Sequence, residues 1–239
     1  MNILFCIFAF VIFPKTNAFT VITETSLNAW TFTPRYSIEP YPGYQVFLIN
    51  GLRCSCPLLS NNRISLGFEA GFVNRFHFTH FYSYASWGLG ECHLWLSVNG
   101  PRSVSLLARL NLPTGPFNEG LGTGAYHLEL YARKANILRN SSAYIGYEWR
   151  GANPDRVDYG DRIHLGVEIT TWLRIASNYA FADQGTYYPL DDSPSFIFEI
   201  ALFKDFRLMK AYTLQAIFSQ TVLGRDMPIS TSISLRIYK

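Results

Sequence analysis

The stretch Ser103–Lys134 reads SVSLLARLNLPTGPFNEGLGTGAYHLELYARK. Before its Gly- and Pro-rich centre, Val104, Leu106, Ala108, Leu110 and Leu112 share one parity. Ser103, Ser105, Arg109 and Asn111 share the other, with Leu107 the exception. After the centre, Tyr126, Leu128, Leu130 and Ala132 oppose His127, Glu129, Tyr131 and Arg133. Strict alternation over a full strand length is the signature of a two-faced β-strand, because successive side chains of a strand point to opposite faces. Two such strands around a turn-rich centre read as an antiparallel hairpin, and what each face meets decides the fold.

The same pattern recurs along the chain. Ile64, Leu66, Phe68 and Ala70 oppose Ser65, Gly67 and Glu69; Leu94, Leu96 and Val98 oppose His93, Trp95 and Ser97. Ala143, Ile145, Tyr147 and Trp149 oppose Tyr144, Gly146, Glu148 and Arg150, and Ile163, Leu165, Val167 and Ile169 oppose Arg162, His164, Glu168 and Thr170. Phe196, Phe198, Ile200 and Leu202 stand against Ser195 and Glu199, and Ile233, Leu235 and Ile237 against Ser232, Ser234 and Arg236. No segment carries a helical period.

The links between these strands alternate in length. Counting back from the C-terminus they fall near 219–228, 205–206, 183–193, 171–172, 150–160, 135–139, 113–123 and 99–102, long and short in turn. They continue near 84–90, 72–74 and 51–62. Short turns on one rim and longer loops on the other are what an up-and-down antiparallel barrel produces. The fold class expected is therefore all-β, a closed antiparallel transmembrane barrel spanning 42–239 with about twelve strands. Residues 19–41 are either a periplasmic segment or two further strands, which would make fourteen.

Alternation alone does not say which face points inward, but composition does. The chain of 239 residues is 49% hydrophobic and only 15% charged, against about 25% charged in soluble domains. Arginine outnumbers lysine fifteen to five, and the guanidinium fork suits confined, paired positions. Glu69, Arg109, Glu129, Arg133, Glu148, Arg162, Glu168, Arg174, Glu199 and Arg236 all fall on polar faces at or near mid-strand. Aromatics such as Tyr44, Trp149, Trp172, Tyr179, Phe203, Tyr212 and Phe218 collect toward strand ends, as interfacial girdles do. These features predict lipid outside and a charge-paired lumen lined by those ten residues. The net charge of +3, with dispersed basic residues, excludes nucleic acid as a partner.

Residues Ile3–Phe13 form an apolar run too short to span a bilayer as a helix. Thr16-Asn17-Ala18 after it is a small-residue ending, so residues 1–18 read as a cleaved export signal. Export, a barrel and a lipid-facing surface together point to a bacterial outer membrane, or the equivalent membrane of an organelle. After cleavage Cys54, Cys56 and Cys92 remain. Their spacing does not suit zinc. With Cys54 and Cys56 in the link 51–62 and Cys92 near the same rim, one disulfide and one free thiol is one reading and three free thiols the other.

The segments LARLNLPTG, LGTGAYHLELYARK, SSAYIGYEW and GRDMPISTSISLRIY resemble those of small bacterial outer-membrane barrels grouped as meta-pathway phenol-degradation transporters, over roughly residues 60–239. The resemblance implies transport of small hydrophobic or aromatic molecules. The C-terminus departs from the usual barrel ending, since Tyr238 is out of phase with Ile233, Leu235 and Ile237, and Lys239 follows it.

Candidate chemistry is sparse. His127 with Glu129 and His164 with Glu168 share the polar faces of their strands, and Ser105 and Ser234 supply hydroxyls. A nucleophile needs an adjacent base, and no hydrolase motif surrounds these residues, so wall hydrogen bonding is the simpler role. Asp158–His164 and the cluster His77, Thr79 and His80 read as turn and rim residues rather than metal sites. No catalytic, metal or cofactor site is assigned, and no cofactor is expected. The expected partners are membrane lipid and a small-molecule substrate. A pore or transporter is the leading function; a non-conducting structural or adhesive barrel and a lumen-site lipid-modifying enzyme are the rivals.

Overall fold

The computed structural model describes residues 20–32, 43–58, 63–78, 83–116, 121–138, 141–151, 160–170, 172–180, 195–209, 212–225 and 229–238. The expected export signal, 1–18, lies outside the described residues. The described strands are β1 Thr20–Phe32, β2 Gly43–Pro57, β3 Ile64–Phe78, β4 Ser83–Leu89, β5 Cys92–Asn99, β6 Val104–Leu112 and β7 His127–Ala135. They continue with β8 Ser142–Arg150, β9 Arg162–Thr170, β10 Leu173–Ala180, β11 Ser195–Met209, β12 Tyr212–Arg225 and β13 Ile229–Tyr238.

Every pairing is antiparallel, and β1 pairs with both β2 and β13, which closes the sheet on itself. Closure removes the open edges that lipid does not tolerate. The lower part of β3 pairs with β5, Ile64 opposite Val98 to Glu69 opposite His93. Its upper part pairs with β4, Phe72 opposite Leu89 to Phe78 opposite Ser83. β4 and β5 are thus one wall strand interrupted by a bulge at Gly90 and Glu91, and the barrel has twelve strand positions.

The faces are those the alternation implied. Ile145 on β8 is 55% exposed, whereas Glu148, on the opposite face of the same strand, is 8% exposed. Among the described residues, thirteen buried side chains are polar or charged and seven are apolar. That is the reverse of a water-soluble core, where polar groups are the exception. Leu106, Leu130, Leu165, Val167, Ile233 and Leu235 form the outer surface.

Strand boundaries differ from the expectation. No turn exists at 72–74 or 205–206: β3 and β11 run straight through them. Asn74 stays in the ladder opposite Leu48, and Asp205 opposite Gln215. A polar residue that would end an isolated strand is held by its ladder: Asn74 has partners on both sides, Leu48 and Trp87, and Asp205 has Gln215 on β12. The links expected at 51–62 and 219–228 shorten, since β2 extends to Pro57 and β12 reaches Arg225, and the link expected at 84–90 is instead strand β4, Ser83–Leu89. Long and short links alternate less strictly than expected, because 79–82 and 226–228 are short on the long-loop rim. The segment 19–41 supplies one wall strand, Thr20–Phe32, so the barrel begins before residue 42 and the count stays at twelve.

The cysteines are not on a shared loop. Cys54 and Cys56 lie on β2 and Cys92 on β5, and no disulfide joins any two of them. β3 stands between β2 and β5 at these heights. Two strand spacings are about 10 Å, beyond the ~7 Å Cα separation a disulfide spans.

Candidate functional site: the barrel lumen

Inward positions of the wall carry a nearly continuous run of ion pairs and hydrogen bonds. Arg53 on β2 meets Glu69 directly across on β3, at 2.7 Å. Arg109 on β6 faces Glu129 on β7 at 3.7 Å, and Asn111 donates to the same carboxylate at 2.7 Å. Glu148 on β8 lies 3.2 Å from Arg150 and 3.0 Å from His164 Nε2 on β9. Nδ1 of that ring sits 2.7 Å from the Asn178 side-chain oxygen on β10. Arg133 reaches across β8 to Glu168, which also accepts from Ser142 at 2.6 Å. Arg174 pairs with Glu199 at 3.3 Å, and Arg236 on β13 with Glu24 on β1 at 2.6 Å, across the closing seam.

Nine of the ten charged residues expected in the lumen therefore sit in these pairs, and Arg162 lies opposite Glu148 in register. The structure adds Glu24, Arg53 and Arg150 to the set. Arg53 fell in an expected loop and Glu24 in an expected flanking segment, so neither stood out; Arg150 was legible on the polar face of its strand. Most pairs follow register, since residues directly opposite or one step diagonal on a sheet are within side-chain reach; Arg133–Glu168 spans β8, and Glu148 and Arg150 lie two apart on one strand. Guanidinium forks and carboxylates satisfy one another where an unpaired charge would be costly.

The histidines are tied into the wall. His93 bonds Asn111, His77 bonds Gln45 at 2.8 Å, and His127, 2% exposed, lies 2.6 Å from Thr123 Oγ1. Thr79, His80 and Asp158 lie outside the described residues.

Three lumen aromatics lie flat over glycines directly across from them. Trp95 covers Gly67, Tyr131 covers Gly146, and Tyr144 covers Gly166. A Cβ at Gly67, Gly146 or Gly166 would come within 2.1, 2.3 and 2.2 Å of the respective ring. Only glycine admits the ring at these positions. Phe203, expected in an interfacial girdle, instead faces inward beneath the Arg174 guanidinium, 5.3 Å from its ring centre.

Side chains do not fill the whole interior. A cavity of about 630 Å³ runs along the inner faces of β1, β2 and β3. Its apolar lining includes Phe47, Ile49, Val73 and Leu121; its charged lining includes Glu24, Arg53, Glu69, Arg75, Glu91, Arg109 and Arg236. Arg75 is sandwiched by Phe47 and Tyr84, 5.9 and 5.4 Å from the ring centres. Gly51, Gly71 and Gly90 lie on the same wall, where missing side chains widen the space. The arrangement offers an amphipathic molecule apolar area and hydrogen-bonding groups side by side.

No family model and no curated protein matches the sequence. Solved structures match in fold. An outer-membrane channel from Pseudomonas putida F1 superimposes with a TM-score of 0.68 at 13% identity, covering 94% of this chain and 96% of its own. The translocator domain of the autotransporter NalP from Neisseria meningitidis gives 0.53 at 8% identity, covering 94% and 88%. The monoaromatic hydrocarbon channel CymD gives 0.50 at 8% identity, covering 95% and 89%. At these identities the shared property is the fold, a bacterial outer-membrane β-barrel.

Proposed function

We propose that this barrel sits in a bacterial outer membrane and passes small molecules, hydrophobic and aromatic ones among them, through its lumen. The observation that carries the reading is the cavity of about 630 Å³ inside a wall whose outer face is apolar. That volume lies in the range of small-ligand sites, about 300–1,000 Å³, and its lining sets apolar side chains beside charged ones. Similarity of fold to an outer-membrane channel and to a monoaromatic hydrocarbon channel supports the same reading. Delivery to that membrane requires the export signal over residues 1–18, and N-terminal sequencing of the membrane-extracted protein should begin at Phe19.

The test is reconstitution. Refolded protein in a planar bilayer should give discrete conductance steps, and protein-loaded vesicles should take up a monoaromatic solute faster than empty ones. Silence in both assays, from protein that migrates as a folded barrel, rejects the conduit.

A further inference from the structure

The described arms of the link between β6 and β7, 113–116 and 121–126, pack against the β4–β5 part of the wall. Within these arms Leu121 is 5% exposed and, with Gly122 and Thr123, lines the cavity that Glu24 and Arg236 also line, while Thr114, Pro116 and Tyr126 are exposed. The seat for these arms is the bulge between β4 and β5. There the wall strand has one residue more than β3 opposite it, and Gly90 N donates to Gly71 O at 2.8 Å. The extra residue turns Glu91 inward beside Gly90, and both line the cavity.

The fit is specific. Thr114 Oγ1 accepts from Cys92 N and donates to Gly90 O, both at 2.8 Å, satisfying backbone groups where the β4–β5 strand is irregular. Leu121 occupies the recess left by Gly88, where a Cβ would stand 2.9 Å from its Cδ1. Gly115 and Gly122 let the arms touch, since a Cβ on Gly115 would lie 2.6 Å from Leu121 O. Thr123 donates to the Glu91 carboxylate from its backbone N, at 2.6 Å, and from its hydroxyl. The single hydroxyl proton is committed to Glu91, which only accepts, so His127 Nε2–H donates to Thr123 Oγ1 at 2.6 Å.

We propose that these arms form a strap that sets the size cut-off of the lumen, with Glu91 as the residue that holds it. The proposal rests on the lumen being a conduit. A long polar side chain on a bulge, aimed at two donors of one loop residue, gives the strap a defined position rather than one among many. Releasing it would let the arms leave the cavity mouth and merge the cavity with the rim.

Glu91→Ala removes the acceptor and Thr123→Val one of its two donors, while Glu91→Gln keeps an acceptor oxygen. Single-channel conductance and vesicle swelling with neutral sugars of graded size are measured on protein with SDS-resistant mobility. The two release variants should conduct several-fold more than the parent and admit larger sugars, while Glu91→Gln stays near the parent. As an independent tether, Gly88→Cys and Leu121→Cys are placed in Thr123→Val protein whose Cys54, Cys56 and Cys92 are alanine. Oxidation should return conductance to the parent value and reduction should raise it again. A parent that is silent in the bilayer but takes up the monoaromatic solute, with conducting release variants, also supports the strap. Conductance and cut-off equal to the parent in both release variants, or indifferent to the tether, overturns the strap and leaves the conduit standing. Silence in every protein overturns both.

Discussion

At the scale of single residues, the lumen glycines and the two wall faces make opposite demands. Gly146 exists for the ring of Tyr131, which occupies the space a Cβ would need. Gly146→Ala should therefore destabilise the barrel by about 1–3 kcal/mol through overpacking, read as a lower urea midpoint in vesicles. Adding Tyr131→Ala should recover part of that loss, because contacting residues are not additive. Leu165, 48% exposed on the outer face, gives the converse test. Leu165→Arg should cost about 2–4 kcal/mol near the midplane. Glu168→Gln should cost less, since a neutral amide can still bond Arg133 and Ser142. A harmless Leu165→Arg beside a severe Glu168→Gln would mean the faces are reversed. The three thiols should all alkylate in denatured, unreduced protein; a Cys54–Cys92 or Cys56–Cys92 peptide would contradict the placement of β3 between them.

At the scale of elements, unbroken strands matter more than turns. The ladder through β3 holds Phe72, Val73 and Asn74 between β2 and β4, so their amides should exchange as slowly as those of Glu69 or Arg75. Fast exchange confined to these residues would restore the turn that the local sequence suggests. The β4–β5 bulge shows how one extra residue serves a site: it redirects Glu91 to the lumen without altering the register of β3 with β2. The sequence around it, Leu89-Gly90-Glu91, carries no mark beyond a glycine and an acid between two apolar runs.

At the scale of the whole molecule, closure accounts for most of the behaviour. With every wall strand paired on both sides below the bulge, the barrel should give an almost wholly β circular dichroism spectrum. Unboiled it should migrate in SDS faster than after boiling, as compact barrels do. Substantial helix, or solubility without detergent, would contradict an apolar exterior. The charge pairs run around the inner wall from Arg53–Glu69 to Arg174–Glu199 and across the seam at Glu24–Arg236. They stiffen a wall that has no apolar core behind it and leave one side of the lumen, along β1 to β3, as open space.

The sequence by itself determined which residues face lipid and which face inward. A strand has period two, and a buried or lipid-facing side imposes its pattern on every second residue; Leu128 and Glu129 declare their faces with no knowledge of their neighbours. The sequence also determined antiparallel closure and the approximate strand number, through the recurrence of that pattern between turn-rich links. Strand ends were decided by tertiary structure, because Asn74 stays in its strand through the ladders on either side of it and Asp205 through its ladder with β12. So were the partners of each charge: Arg133 meets Glu168 across an intervening strand, and Glu24 meets Arg236 only when the first and last strands close. The seat of the described arms of the β6–β7 link was equally hidden, since a Gly- and Pro-rich stretch specifies that the chain turns and not where it comes to rest. Its resting place depends on a recess at Gly88 and a carboxylate at Glu91, distant in sequence and brought beside it by the barrel wall.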